Sequence, residues 1–87
     1  MFLRLSERPT IENLRQYPSD LVEQLSALLA VGANATADSH RKDFYEVDFD
    51  SRVYYLHVSP NSGHVILLGS WPAHDPSNIE VASRHAA

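Results

Sequence analysis

Three histidines, His40, His57 and His64, come closest in this sequence to a reactive constellation. Three neutral imidazoles meeting at one point hold a divalent transition metal and leave a position open for water, the arrangement of a metal-assisted hydrolase. Their spacing argues against it. Tightly spaced ligand pairs put two donors on one helix face, whereas His57 and His64 are separated by "VSPNSG" and could meet only across a hairpin. The expectation is therefore no metal and no cofactor, with His40, His57 and His64 kept as the alternative site.

The carboxylates Asp43, Glu46, Asp48 and Asp50 form a second group. Paired carboxylates with split pKa values serve as acid and base, or together bind a hard cation. Glu46 and Asp48, however, alternate within a strand-like run, and charge on such a strand keeps it soluble and blocks edge pairing. Ser59, Ser62 and Ser70 lie near histidines in sequence, but no strand–turn–helix nucleophile motif surrounds them. The chain thus reads as a non-enzymatic module, with a metal-assisted hydrolytic enzyme as the alternative.

Composition narrows the classes further. The chain has 87 residues, a formal net charge of −4, 44% hydrophobic and 21% charged residues, and no cysteine. That length suits a single small domain with one core, taken here as about residues 10–71 with a tail over 72–87, and the composition is that of a folded chain. Without cysteine there are no disulfides, thiolate zinc sites or thiol nucleophiles, and a cytoplasmic location is the expectation. Arg4, Glu7 and Arg8 interrupt the N-terminal apolar run, so it lacks a signal-peptide core. The longest strictly apolar run, Ala27 to Val31, is far short of the roughly 20 residues of a membrane span. Negative charge, with only "HRK" at His40 to Lys42 locally basic, argues against a nucleic-acid partner.

These candidate residues must be held by a few elements. The segment "YPSDLVEQLSALLAVG" predicts the main helix: Pro18 suits its first turn, Asp20 and Glu23 its N-terminal half, Gly32 its close. Leu21, Leu25, Leu28 and Leu29 recur at helical spacing and need a sheet to cover. Ile11 to Gln16, after Thr10, reads as a shorter helical turn. "MFLRLS" reads as an edge strand or a loose arm, and "ANATADS" as a loop or linker. Tyr, Val, Phe and Ile content predicts strands over Phe44 to Phe49, Arg52 to Ser59 and His64 to Trp71, with turns at Asp50–Ser51 and Pro60–Gly63. Ser77 and Glu80 have the spacing of a capping box, so a short C-terminal helix is a further possibility. The fold class expected is α+β, one main helix packed on a three-stranded antiparallel meander.

The order helix, three strands, possible helix is similar to that of double-stranded RNA-binding domains. The tail "SNIEVASRHAA" has one arginine and no lysine where such a domain presents a basic helix start, so no binding residue carries over. "HVSPNSGHVILL" resembles locally the closing hairpin of PepSY-type domains, a likeness confined to a generic turn.

A two-residue turn at Asp50–Ser51 sets Phe49 against Arg52, Val47 against Tyr54 and Tyr45 against Leu56. Counting across the second loop sets Val58 against Val65, Leu56 against Leu67 and Tyr54 against Gly69. Trp71 then falls on the face meant for the helix, and Ser70 on the other. That second face carries Phe44, Val53, Tyr55, Ile66 and Leu68. Apolar residues on both faces of a strand mean that both faces are covered. The cover expected for the second is another copy of the chain, so the chain reads as a homodimer whose interface holds those five residues; the C-terminal tail is the competing cover. A small-ligand pocket between helix and sheet is a third reading.

Overall fold

The computed structural model describes residues 1–73. Seven elements follow in chain order: β1 (Phe2–Leu3), β2 (Ile11–Asn13), α1 (Ser19–Val31), β3 (Ala33–Ala37), β4 (Phe44–Phe49), β5 (Arg52–Val58) and β6 (Val65–Pro72). The strands form one six-stranded sheet in the order β1-β3-β4-β5-β6-β2. β2 runs parallel to β6, and every other neighbouring pair is antiparallel.

This corrects the expected architecture. The three-stranded meander is only the middle of a six-stranded mixed sheet, and among the described residues sheet outweighs the one short helix. The expected loop "ANATADS" contains β3, where Ala33 and Ala35 are buried and Asn34 and Thr36 are exposed. Alanine and asparagine have low strand propensity, but small side chains at the buried positions fit beside the helix and tertiary pairing decides. The expected helical turn at Ile11 to Gln16 is instead β2 and a turn, with Gln16 at a φ of 56°. Its strand form is set by Val65, whose N–H donates to the Thr10 carbonyl at 3.2 Å and starts the parallel ladder. "MFLRLS" supplies the two-residue edge strand β1. The expected C-terminal helix at Ser77 and Glu80 lies outside the described residues.

α1 begins after Pro18 and has Asp20 in its first turn, where negative charge suits the N-terminal dipole. The entry is fixed by Asn13, whose side-chain amide donates to the Tyr17 carbonyl at 2.7 Å and whose Oδ1 accepts the Tyr17 N–H at 2.9 Å. The exit is fixed by Gly32, whose N–H donates to the Leu28 carbonyl at 2.7 Å at a φ of 126°. Leu25 and Leu29 are fully buried and meet Val47, Leu56, Val65 and Leu67 in one core cluster. Leu28 is only partly buried at its margin.

β1 and β2 sit at opposite edges, so residues 4–10 must cross the sheet, and they do so along α1. The Leu5 N–H donates to the Leu29 carbonyl at 2.8 Å, and the Ser26 hydroxyl donates to the Pro9 carbonyl at 2.6 Å. One face of the sheet is thus roofed by α1 and this crossing segment.

The β4–β5 register is as the two-residue turn dictates, Phe49 against Arg52 through Phe44 against His57. Asp50 and Ser51 both have positive φ, 51° and 63°, the conformation that matches the twist of a tight hairpin. The β5–β6 register departs from expectation past Leu56–Leu67. There Tyr55 pairs with Gly69, a bulge that leaves Leu68 as the extra residue. Beyond it Tyr54 faces Ser70 rather than Gly69, and Val53 faces Trp71. The extra residue therefore moves Trp71 to the face away from the helix and Ser70 to the roofed face, where its Oγ accepts a bond from Arg52 Nη2 at 3.1 Å.

Candidate functional site

Alternation along β4, β5 and β6 sends Val47, Tyr54, Leu56, Val65 and Leu67 into the core, so their strand neighbours point to the other side. Three rows result on this second face, each running across the strands. The first holds Phe44, His57 and Ile66 and continues to Glu12 on β2. The second holds Glu46, Tyr55 and Gly69, with Leu68 beside it in the bulge. The third holds Asp48, Val53 and Trp71.

The aromatic side chains form a continuous strip. Phe44 and Tyr55 stack with ring centroids 5.6 Å apart, Phe44 and His57 lie 4.8 Å apart, and Tyr55 and Trp71 6.2 Å apart. Trp71 is 37% exposed, while Phe44, Tyr55, Ile66 and Leu68 are half-buried and Val53 is buried. At Gly69 a side chain would meet nothing within 4 Å among the described residues, so the middle row contains a notch.

Charged groups frame the strip. The Arg41 guanidinium lies 4.1 Å from the Phe44 ring centroid, a cation–π contact. The Tyr55 hydroxyl donates to Asp38 Oδ2, and the His40 N–H donates to Asp38 Oδ1 at 2.8 Å. These two bonds hold the Asp38 carboxyl below its usual range, the tyrosine bond first, and the same bond pushes the Tyr55 phenol up. Tyr54, on the opposite side, is pushed up by burial. At the other margin Arg15 Nε donates to the Leu68 carbonyl at 3.0 Å, satisfying an acceptor beside the bulge. Glu12 Oε1 stands 3.6 Å from His64 Nε2.

The structure places the sequence candidates unevenly. Phe44, Val53, Tyr55, Ile66 and Leu68 all lie on this face. Trp71 belongs with them, on the side opposite to the one an uninterrupted register predicts; the signal is Gly69, since a lone glycine inside a strand pattern marks a bulge. His57 lies within the strip and His64 at its edge, but His40 is exposed in the connection from β3 to β4. No three His, Cys, Asp or Glu side chains gather to hold a metal ion among the described residues. Glu46 and Asp48 share the face, Asp50 is in the hairpin turn, and Asp43 precedes β4 at a φ of 68°. Among the described residues Ser59, Ser62 and Ser70 do not converge on a histidine: the Ser62 Oγ accepts the His64 backbone N–H, at 3.3 Å.

A cleft of about 880 Å³ opens on the roofed side, between the crossing segment and the loop at Pro60. Leu3, Leu5, Tyr45 and Val58 line it together with Arg4, Arg8, Asp43 and His64. Among the described residues no helix is long and apolar enough to cross a membrane. Comparison of the chain with models of known families, with curated proteins and with solved structures finds no match.

Proposed function

We propose that the protein is a non-enzymatic interaction module that pairs with a second copy of itself through the second sheet face. The observation that carries this reading is the strip of Phe44, Tyr55, Trp71 and His57 lying on the side of the sheet opposite α1. Aromatic and aliphatic side chains gathered on one flat face supply the apolar core of an interface, and two-fold dimers are the commonest soluble assemblies. Phe44, Val53, Tyr55, Ile66 and Leu68 are the interface residues in this reading, and Trp71 joins them.

Sedimentation velocity over a range of concentrations tests it. Wild type should sediment as a dimer, and Leu68→Glu should sediment as a folded monomer, because an unpaired charge is costly at a buried interface and tolerable in water. A wild type that stays monomeric at every concentration would falsify the proposal.

A second reading, a small-ligand site, is supported by the cleft at the Pro60 end, whose volume is in the range of ligand pockets. Screening of small amphipathic compounds by NMR distinguishes it, with shifts expected at Leu5, Tyr45 and Val58 rather than at Tyr55 and Trp71.

A further inference from the structure

On the second face His57 stands on β5 between Phe44 on β4 and Ile66 on β6. Tyr55 shares the face two positions away along β5, and Leu68 lies diagonally across on β6. The imidazole packs against the Phe44 ring, with centroids 4.8 Å apart and planes tilted by 57°. An imidazole takes up a proton, and with it a positive charge, between about pH 8 and 5.

The surroundings of His57 offer that charge no partner. The Arg41 guanidinium already lies 4.1 Å from the Phe44 centroid, so a protonated His57 sets a second cation against the same ring. His40 and Lys42 are the sequence neighbours of Arg41. The carboxylates of the face stand apart from the imidazole: Glu46 and Asp48 on β4 are level with Tyr55 and Val53, and Glu12 on β2 lies beyond Ile66. Asp38 is engaged by the Tyr55 hydroxyl. Among the described residues the histidine within ion-pair distance of a carboxylate is His64, 3.6 Å from Glu12, and none stands so close to His57.

In a lone protomer His57 is half-buried, and water hydrates either form of the ring. A second copy laid over the strip removes that water. The neutral imidazole then behaves as one more aromatic ring beside Phe44, whereas an unpaired imidazolium meets the full cost of a charge taken out of water.

Resting on the self-pairing reading above, we infer that His57 makes the dimer acid-labile: two copies pair while both imidazoles are neutral and separate as they gain protons. The dimer then binds fewer protons than two free protomers, so association weakens as pH falls. An isologous interface contains His57 twice, and the logarithm of Kd changes by up to about two for each pH unit. Ordinary carboxylates titrate near about pH 4, and the bonds from Tyr55 and His40 hold Asp38 lower still. The response of the imidazole is therefore read above about pH 5.5.

Sedimentation velocity at about pH 7.5 and about pH 5.5, at one ionic strength and with circular dichroism as the folding control, tests this. The wild-type Kd should rise about tenfold or more at the lower pH. His57→Phe should pair at both pH values, and His57→Lys, charged at both, should be a folded monomer at both. Where His57→Phe folds poorly, His57→Gln supplies the same neutral comparison. A wild-type dimer that is equally tight or tighter at the lower pH, a loss of pairing that persists in His57→Phe, or a His57→Lys chain that pairs as tightly as wild type overturns the switch and leaves self-pairing intact. A wild type that is monomeric at both pH values overturns self-pairing itself, and the switch with it.

Discussion

The Tyr55 hydroxyl on β5 donates to the Asp38 carboxylate just after β3, reaching past β4, which lies between them in the sheet. One bond therefore holds the ring at the middle of the strip and the start of the loop that carries Arg41. Ring orientation and loop position are set together.

Replacing Tyr55 by Phe should let the Asp38 carboxyl rise toward its ordinary value of 3.8 and loosen the loop from Asp38 to Asp43. A carboxyl whose folded pKa is depressed adds stability above its unfolded pKa, and loses it as pH falls through the folded one. Tyr55 is the reverse case: its raised pKa adds stability below 10.0, lost as pH rises beyond it. A carbon-detected NMR titration of wild type and Tyr55→Phe checks this; an Asp38 midpoint that does not rise in the variant refutes the coupling.

Leu25→Ala should destabilise the protein by about 2–5 kcal/mol, the usual cost of emptying a fully buried leucine site. Leu28→Ala should cost clearly less, because Leu28 is only partly buried. Urea denaturation midpoints of the two variants measure the difference. Equal midpoints would mean that α1 is rotated from the orientation described.

Gly32→Ala faces two obstacles. An added Cβ would lie 1.9 Å from Cζ of Phe2, and the φ of 126° belongs to a region that side chains rarely adopt. Phe2 is 65% exposed and can swing aside, whereas the backbone cannot relax without moving the α1–β3 junction. A loss of about 1–3 kcal/mol is expected from the backbone alone. The double variant Phe2→Ala/Gly32→Ala should therefore remain destabilised; full rescue by removing the ring would show that the clash was the whole effect.

Gly69→Val makes the opposite case. No described atom lies within 4 Å of the added Cβ, and Gly69, although beside the bulge, does not have the positive φ that side chains avoid. Thermal stability measured at a concentration where the chain is monomeric should change by no more than about 0.5 kcal/mol. Self-association should fall, because the notch in the middle row of the proposed interface is filled. A large loss of protomer stability would show that the glycine serves the bulge itself.

The hairpin of β4 and β5 was legible because its residues favour strands and its two-residue turn leaves no freedom in register. The outer strands were not. Ile11–Asn13 and Ala33–Ala37 are short or built from weak strand formers, and they are extended because neighbours offer them hydrogen bonds, which local propensity does not encode. Five residues of the candidate face could be named from alternation alone. Trp71 was lost to one inserted position, since a bulge shifts every later side chain in β6 to the other side.

β2 takes its place beside β6 by pairing residue 11 with residue 65, 54 positions apart in a described length of 73. Contacts so distant in sequence carry a large loop-closure entropy, and sheets built on them fold slowly for their size. The hairpins β3–β4, β4–β5 and β5–β6 need no such closure and can form beforehand. During that interval the outer edge of β6 has no strand beside it. The three residues of β2 thus act as a late-closing latch, and weakening it, as in Ile11→Ala, should speed unfolding more than it slows folding in a stopped-flow chevron.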